Sequence, residues 1–158
     1  MRLSKLKLIF LETALVVTVN LLKAVRANLI GIVIVAHGGL ASEYLRAVEH
    51  VVGVQSGIKA IAIEDNHDRI LKETEICAAA DAVDTGDGVV LVTDLFGGSP
   101  SNLSQSACFL KNRYMISGAN LPMLIKLAKS RHKAVPEAVK VSLATGRKHI
   151  YCQNFELS

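Results

Sequence analysis

The sequence is poor in aromatic side chains. Aromatic residues make up 4% of the 158 residues and tryptophan is absent, whereas hydrophobic residues as a whole make up 51%. The core must therefore be built from aliphatic side chains, which is typical of a parallel sheet covered by helices. The length is sufficient for one domain with a sizeable core and too short for two ordinary ones.

Strong charge is also lacking. The formal net charge is only +4, and the charges are scattered along the chain without a block of one sign. No aromatic residues are interleaved with a basic patch, as they would be in a typical nucleic-acid-binding surface. These features argue against nucleic acid as a partner.

Cysteine is scarce as well. Cys77, Cys108 and Cys152 are odd in number, far apart and without CxxC spacing. This pattern excludes a disulfide framework and a cysteine zinc site, and it favours reduced thiols in a cytoplasmic protein. Cys77 and Cys108 fall in helix-like stretches and are predicted to be small core residues. No metal and no cofactor is expected.

The first 28 residues form an apolar extension with basic ends, MRLSKLKLIFLETALVVTVNLLKAVRAN. A signal peptide and a membrane helix are two interpretations, but Glu12 interrupts the apolar run, which is short for a bilayer. An extra amphipathic helix and a non-native upstream start are the favoured alternatives. Residues 29–158 are predicted to form a single domain, with Leu29 a plausible true first residue.

From Leu29 onward, strand and helix patterns alternate. Apolar β-branched runs predict strands, and apolar residues at helical spacing predict helices. The predicted strands are 30–36, 58–63, 89–94, 114–117 and, at the end of the chain, 149–153. The predicted helices are 40–52, 67–83 (capped by Asn66 or Asp68), 100–110, 121–130 and 137–145, the last closed by Gly146.

This order predicts an α/β fold with three layers. Single crossovers between strands give a doubly wound, open sheet of four parallel strands with helices on both faces, and the C-terminal strand is expected to add antiparallel. In such folds ligands bind beyond the carboxyl ends of the strands. His37, Asp94 and the segment GAN at 118–120 each follow a strand, so they are delivered to one rim.

His37 is the candidate nucleophile. A histidine that takes up a transferred group must present one unprotonated ring nitrogen, and a carboxylate bound to the other nitrogen fixes that tautomer. Asp94 is the best candidate for this carboxylate, because the tips of adjacent parallel strands lie only ~4.8 Å apart. Taken alone, Asp94 could equally cap the following turn; its place on the rim beside His37 favours the functional interpretation.

Glycines flank both candidate residues. Gly97 and Gly98 would let the backbone approach an anion, and Ser99 offers a hydroxyl at the start of a helix whose free N–H groups favour phosphate. Gly38 and Gly39 would do the same at the first helix. The spacing differs from GxxxxGK[ST], which argues against a nucleotide-binding P-loop. The sequence therefore predicts a phosphoryl pocket built without metal ligands.

Four segments carry a family resemblance: IVIVAHGGLASEYLRAVEHVVG, VVLVTDLFGGSPSN, ISGANLPML and the late ATGR. In this order they resemble the IIA domain of the mannose-type family of the bacterial phosphoenolpyruvate-dependent phosphotransferase system, over about residues 29–152. The resemblance implies that His37 accepts a phosphoryl group from phospho-HPr and passes it to a IIB protein. It also implies that Asp94 pairs with the His37 ring and that Ser99 lies beside the phosphoryl group.

The resemblance further implies a homodimer in which the C-terminal strand can be exchanged, and a membrane partner only indirectly, through a permease. The chain shows no attached IIB domain, so the acceptor is expected to be a separate protein. The expected output of phosphotransfer is either sugar uptake or regulation linked to the phosphotransferase system. One alternative is a regulatory binding module whose His37 phosphorylation controls docking; a weaker one is a flavodoxin-like ligand-binding domain with no covalent step.

Overall fold

The computed structural model describes residues 29–154. Four strands form one parallel sheet in the order β2-β1-β3-β4. Their bounds are β1 Gly31–His37, β2 Ile58–Ile63, β3 Val89–Thr93 and β4 Arg113–Ser117. The predicted apolar runs thus form the predicted strands, and the central pair β1 and β3 is buried along almost its whole length.

Five α-helices connect and cover the strands. Their bounds are α1 Leu40–Val52, α2 Arg69–Val83, α3 Ser99–Leu103, α4 Leu121–Lys129 and α5 Val135–Lys148, and a 3-10 turn spans Ser106–Cys108. The helix predicted over 40–52 is confirmed with the same bounds. The predicted cap of α2 is Asp68, whose carboxylate accepts the backbone N–H of Leu71 at 3.0 Å.

Two aliphatic clusters lie on opposite faces of the sheet. In β1, Ile32 and Ile34 belong to the cluster covered by α1, α4 and α5, whereas Val33 and Val35 belong to the one covered by α2 and the 3-10 turn. A strand covered on both faces must be apolar at every position, which explains the unbroken run IVIVA. The predicted α/β architecture, a parallel sheet with helices on both faces, is confirmed.

The last helix differs from its prediction. It runs from Val135 to Lys148 and does not end before Gly146, which lies buried inside it. A Cβ at position 146 would stand 2.9 Å from the Cβ of Met123 on α4. The glycine therefore allows α4 and α5 to approach closely, and tertiary packing outweighs its weak helix propensity.

The helix predicted over 100–110 is broken in two. Only Ser99–Leu103 is α-helical, followed by the 3-10 turn at Ser106–Cys108. The hydroxyl of Ser104 donates to the carbonyl of Pro100 at 2.6 Å. Such bonds from serine to the preceding turn compete with the helical pattern and help to end it.

The predicted antiparallel strand at 149–153 is wrong for the chain as the structure describes it. Residues 150–154 are exposed and carry no regular secondary structure, and within residues 29–154 β4 pairs only with β3. Because α5 continues to Lys148, no connecting loop is left between the helix and the segment 149–153 that would return this segment to the open edge of β4. The first 28 residues, with all their interpretations, lie outside the described residues. No helix within residues 29–154 is both long and apolar enough to cross a membrane.

Candidate active site

His37 and Asp94 meet at the carboxyl end of the sheet. β1 and β3 are neighbours, with Val35 opposite Thr93, so the chain delivers both residues to the same rim. The ring Nδ1 of His37 lies 2.8 Å from Asp94 Oδ2. The backbone N–H of His37 donates to the same oxygen at 3.0 Å.

The pair is exposed on one side only. The His37 side chain is 49% exposed and that of Asp94 11%. An ionised carboxylate can only accept hydrogen bonds, so the proton of a neutral His37 ring lies on Nδ1. Nε2 is then the unprotonated nitrogen of the ring. This is the tautomer that nucleophilic attack through Nε2 requires.

The carboxyl of Asp94 is held in its charged form. Partial burial alone would raise its pKa, but hydrogen bonds from the backbone and ring of His37, the charge of that ring, and the backbone N–H of Leu95 together lower it. The Leu95 N–H reaches Asp94 Oδ1 at 2.9 Å. Both carboxylate oxygens are therefore engaged, and Asp94 is an orienting anion rather than a proton donor.

The loop after β3 passes close to the imidazole. A Cβ at Gly98 would stand 3.1 Å from His37 Cε1, so only a glycine leaves the ring unhindered. Gly97 has a φ of +78°, which favours glycine. This loop therefore places the entry of α3 directly beside the ring.

The five residues predicted to hold a phosphoryl group differ in what they can offer. The N–H of Gly38 donates to the carbonyl of Ile63 at 3.0 Å, and that of Gly97 donates to the hydroxyl of Ser101 at 2.9 Å. Within the described residues, the N–H groups of Gly39, Gly98 and Ser99 donate to no protein acceptor. The last three are thus the candidates for binding an anion, whereas the first two shape the turns.

Ser101 is a residue that the sequence did not single out. Its side chain is buried, accepts the N–H of Gly97 and donates to the carbonyl of Gly98 at 3.0 Å. The adjacent Asn102 donates to the carbonyl of Gly97 at 3.2 Å. These contacts fix the conformation of the loop at Gly97 and Gly98. The signal in the sequence was a polar residue in the first turn of a helix that follows two glycines.

Tyr44 was also missed. Its hydroxyl donates to the carbonyl of Ala119 at 2.9 Å and so ties α1 to the loop after β4. Burial, and then the nearby charge of Asp94, raise the pKa of this hydroxyl. Of the segment GAN on the same rim, Asn120 caps α4 by accepting the N–H of Met123, so it supports the rim instead of supplying a reactive group.

Exposed apolar residues lie close to the pair in the chain. Leu40, Leu95 and Phe96 are each within three residues of His37 or Asp94 and are exposed, and Phe96 is 84% exposed. Large exposed apolar side chains next to a polar site are typical of protein contacts. In the described part of the chain, no three His, Cys, Asp or Glu side chains are grouped to hold a metal ion.

Comparison with known proteins gives relatives described as components of the phosphotransferase system. The "PTS system mannose-specific EIIAB component" of Escherichia coli K12 is 30% identical over 124 residues, which cover 77% of this chain and 38% of that protein. The chain thus spans well under half the length of this relative, and the related proteins of other E. coli strains and of Shigella flexneri match in the same way.

Two solved structures of phosphotransferase-system IIA proteins have a similar fold. A phosphotransferase-system IIA protein associated with the fucose utilization operon of Streptococcus pneumoniae is 27% identical, with a TM-score of 0.64 over 72% of this chain and 88% of that one. The mannose/sorbose-specific IIA subunit of Enterococcus faecalis has the same fold, with 21% identity and a TM-score of 0.72 over 82% of this chain and 98% of that one. The sequence model of the family "PTS system fructose IIA component" matches residues 31–143, and the chain therefore belongs to this EIIA-man family of the phosphotransferase system.

Proposed function

We propose that this chain carries a phosphoryl group on Nε2 of His37, received from phospho-HPr and passed to a IIB protein or domain. Membership of the EIIA-man family supports a phosphocarrier role in sugar phosphotransfer. The observation that carries the assignment to His37 is the 2.8 Å contact between its Nδ1 and Asp94 Oδ2. It leaves Nε2 unprotonated, on a side chain that is half-exposed at the rim, as the available nucleophile.

The transfer exchanges one nitrogen–phosphorus bond for another. The lone pair of Nε2 attacks the phosphorus of the donor's phosphohistidine in line, and the old bond breaks with its electron pair moving to the donor's ring nitrogen. Asp94 offsets the positive charge that develops on the His37 ring. Because donor and product both hold the group on nitrogen, we expect the step to be readily reversible.

The backbone around the ring supplies the remaining charge stabilisation. The N–H groups of Gly39, Gly98 and Ser99, which donate to no acceptor within residues 29–154, are suited to the phosphoryl oxygens. Asp94 faces the opposite, Nδ1 side of the ring, which keeps its charge away from the transferred group. The protein therefore contributes positioning and electrostatics rather than a new reaction.

The surroundings indicate that donor and acceptor are proteins. Leu40, Leu95 and Phe96 offer apolar contacts around the histidine, as a transient protein interface requires. Such a partner would exclude water from the phosphoryl group while it is transferred.

The test is the intact mass of the full chain after incubation with phosphoenolpyruvate, enzyme I and HPr. We expect a gain of one phosphoryl group that acid removes. His37→Ala should abolish the gain, whereas the matched change His132→Ala, at an exposed histidine beside the amino end of the sheet, should not. A phosphorylated His37→Ala variant would make the site assignment wrong, and an unmodified but folded parent chain would reject the phosphocarrier.

A further inference from the structure

A strong charge asymmetry divides the described chain. Residues 121–149, which form α4, α5 and their connection, carry seven Lys or Arg and one Glu, a formal charge of +6. Residues 29–120 carry six Lys or Arg and eleven Asp or Glu, a formal charge of −5. The mild net charge of the whole chain conceals this division, because the basic and acidic regions nearly cancel.

Within residues 29–154, five of the seven cations of the basic region are available for a partner. Those on the outer surface of α4 and α5 are exposed, and within residues 29–154 none of them lies within 4 Å of a carboxylate; they are Lys126, Lys129, Lys140, Arg147 and Lys148. By contrast, Lys133 pairs with Glu137 one turn away. Repulsion among like charges on neighbouring helices would be relieved by an anionic partner.

An apolar groove lies among these cations. It has a volume of about 450 Å³ and is lined by Pro122, Ile125, Lys126 and Lys129 of α4, together with Thr145 and His149. Ile125 and Lys126 lie three and four residues after Pro122, and Lys129 lies four and three residues after them, so all four occupy one face of α4. Ile125 is only partly buried against the core, which leaves part of its side chain for an outside contact.

We infer that the groove between α4 and α5 is a docking site for an acidic amphipathic helix of a partner protein. A groove between two packed helices accepts a ridge of apolar side chains from a third helix. Acidic residues flanking that ridge would face Lys126 and Lys129. A flat lipid surface would instead need apolar side chains that protrude. The site is separate from His37, so the inference does not depend on phosphoryl transfer.

The probe for a binding test is a fluorescent synthetic helix with leucines at i, i+3, i+4 and i+7 and glutamates elsewhere, titrated with the full chain by anisotropy. Reversing two groove charges with Lys126→Glu and Lys129→Glu should weaken binding about tenfold or more. The matched control makes the same charge change at two exposed lysines outside the groove, Lys59→Glu and Lys111→Glu. We expect at most a twofold effect from that pair.

Further measurements distinguish an acidic helix from the other occupants that the groove could bind. A helix with serines in place of the leucines should bind at least tenfold more weakly, and one with lysines in place of the glutamates should not bind. Equal weakening by the two lysine pairs would show non-specific attraction and overturn the inference. So would binding to phosphatidylserine vesicles but not to the acidic helix. A sedimenting dimer that only the Lys126→Glu, Lys129→Glu variant dissociates would assign the groove to a second copy of this chain.

Discussion

At the carboxyl end of the sheet the ring of His37 is half-exposed and faces a carboxylate, whereas at the amino end the guanidinium of Arg131 is buried and faces backbone carbonyls. Arg131 Nε donates to the carbonyl of Ile30 at 2.6 Å, and its side chain is only 4% exposed. A Cβ at Gly57 would stand 2.7 Å from Arg131 Nη2, so the guanidinium lies directly on the entry to β2.

The difference follows from the chemistry of the two side chains. A guanidinium keeps its proton even though burial lowers the pKa of Arg131, so it can serve as a permanent clamp on strand entries. An imidazole that reacts changes its charge or its covalent bonds, which requires solvent access and an anionic partner that stabilises the charged ring. One end of the sheet is therefore suited to stability and the other to reaction, and variants can separate them.

The largest expected effect is on stability, at the amino end. Arg131→Met removes the donor for the Ile30 carbonyl and leaves that buried acceptor unsatisfied, whereas the Gly57 carbonyl keeps the N–H of Ile32 as a donor. We expect a loss of about 3 kcal/mol in the free energy of unfolding, measured by urea denaturation. Phosphorylation of the folded variant should be unchanged at low temperature. A stability within about 0.5 kcal/mol of the parent would contradict the structural role.

Asp94→Asn breaks the carboxyl end instead. The side chain keeps its shape, but the anion that fixes the tautomer and offsets the charge of the His37 ring is lost. We expect transfer from phospho-HPr to slow by about 30-fold, equivalent to about 2 kcal/mol, in rapid-quench measurements. Equal rates for the variant and the parent would remove Asp94 from the mechanism.

The same variant also sharpens the comparison through pH. The pKa of Asp94 is lowered in the folded chain, so the unfolded chain binds a proton more readily. The stabilisation is present above the unfolded value, about 3.9, and is lost as the pH falls through the folded value. The free energy of unfolding, measured by denaturation at a series of pH values from neutral to acid, should therefore fall less steeply with pH for Asp94→Asn than for the parent. If the free energy of unfolding changes equally with pH in the variant and the parent, the contact between Asp94 and His37 does not stabilise the fold.

A smaller effect is expected from Ser101→Ala, which leaves the N–H of Gly97 without its acceptor. We expect a loss of about 1 kcal/mol in the free energy of unfolding, with transfer slowed by roughly five-fold as the loop loses its fixed position beside the ring. Ser101→Thr keeps the hydroxyl and should restore the rate. If threonine is as slow as alanine, the hydroxyl is not what positions the loop.

Local pattern was sufficient for much of the fold. The apolar runs predicted the four parallel strands, because burial on both faces leaves no polar positions, and the segment Leu40–Val52 has both a periodic apolar face and a glycine after it. Prediction from the local pattern failed where a contact between residues distant in the sequence determines the structure. Gly146 signals a helix end locally, yet its contact with Met123 keeps it inside α5. The prediction of the terminal strand failed because α5 runs on to Lys148 and leaves no loop that would return residues 149–153 to the open edge of β4.

The site shows the same limit. The meeting of His37 and Asp94 could be predicted, since both end strands that prove to be neighbours. Which glycine N–H groups are free for an anion could not, because Gly38 donates to Ile63 of β2 and Gly97 to the buried hydroxyl of Ser101. Similarly, the contact of Tyr44 with Ala119 joins residues 75 positions apart.

The oxygen that Asp94 shares between the backbone and the ring of His37 has a consequence for entropy. Because Oδ2 binds both the backbone N–H and the ring Nδ1 of His37, it restricts the side-chain torsions of His37 before any partner binds. Immobilising a side chain costs about 0.5–1.5 kcal/mol, and here that loss occurs on folding rather than at each encounter. The proposed transfer from one protein to another then needs only brief, weak complexes, because the ring does not have to search for its orientation each time.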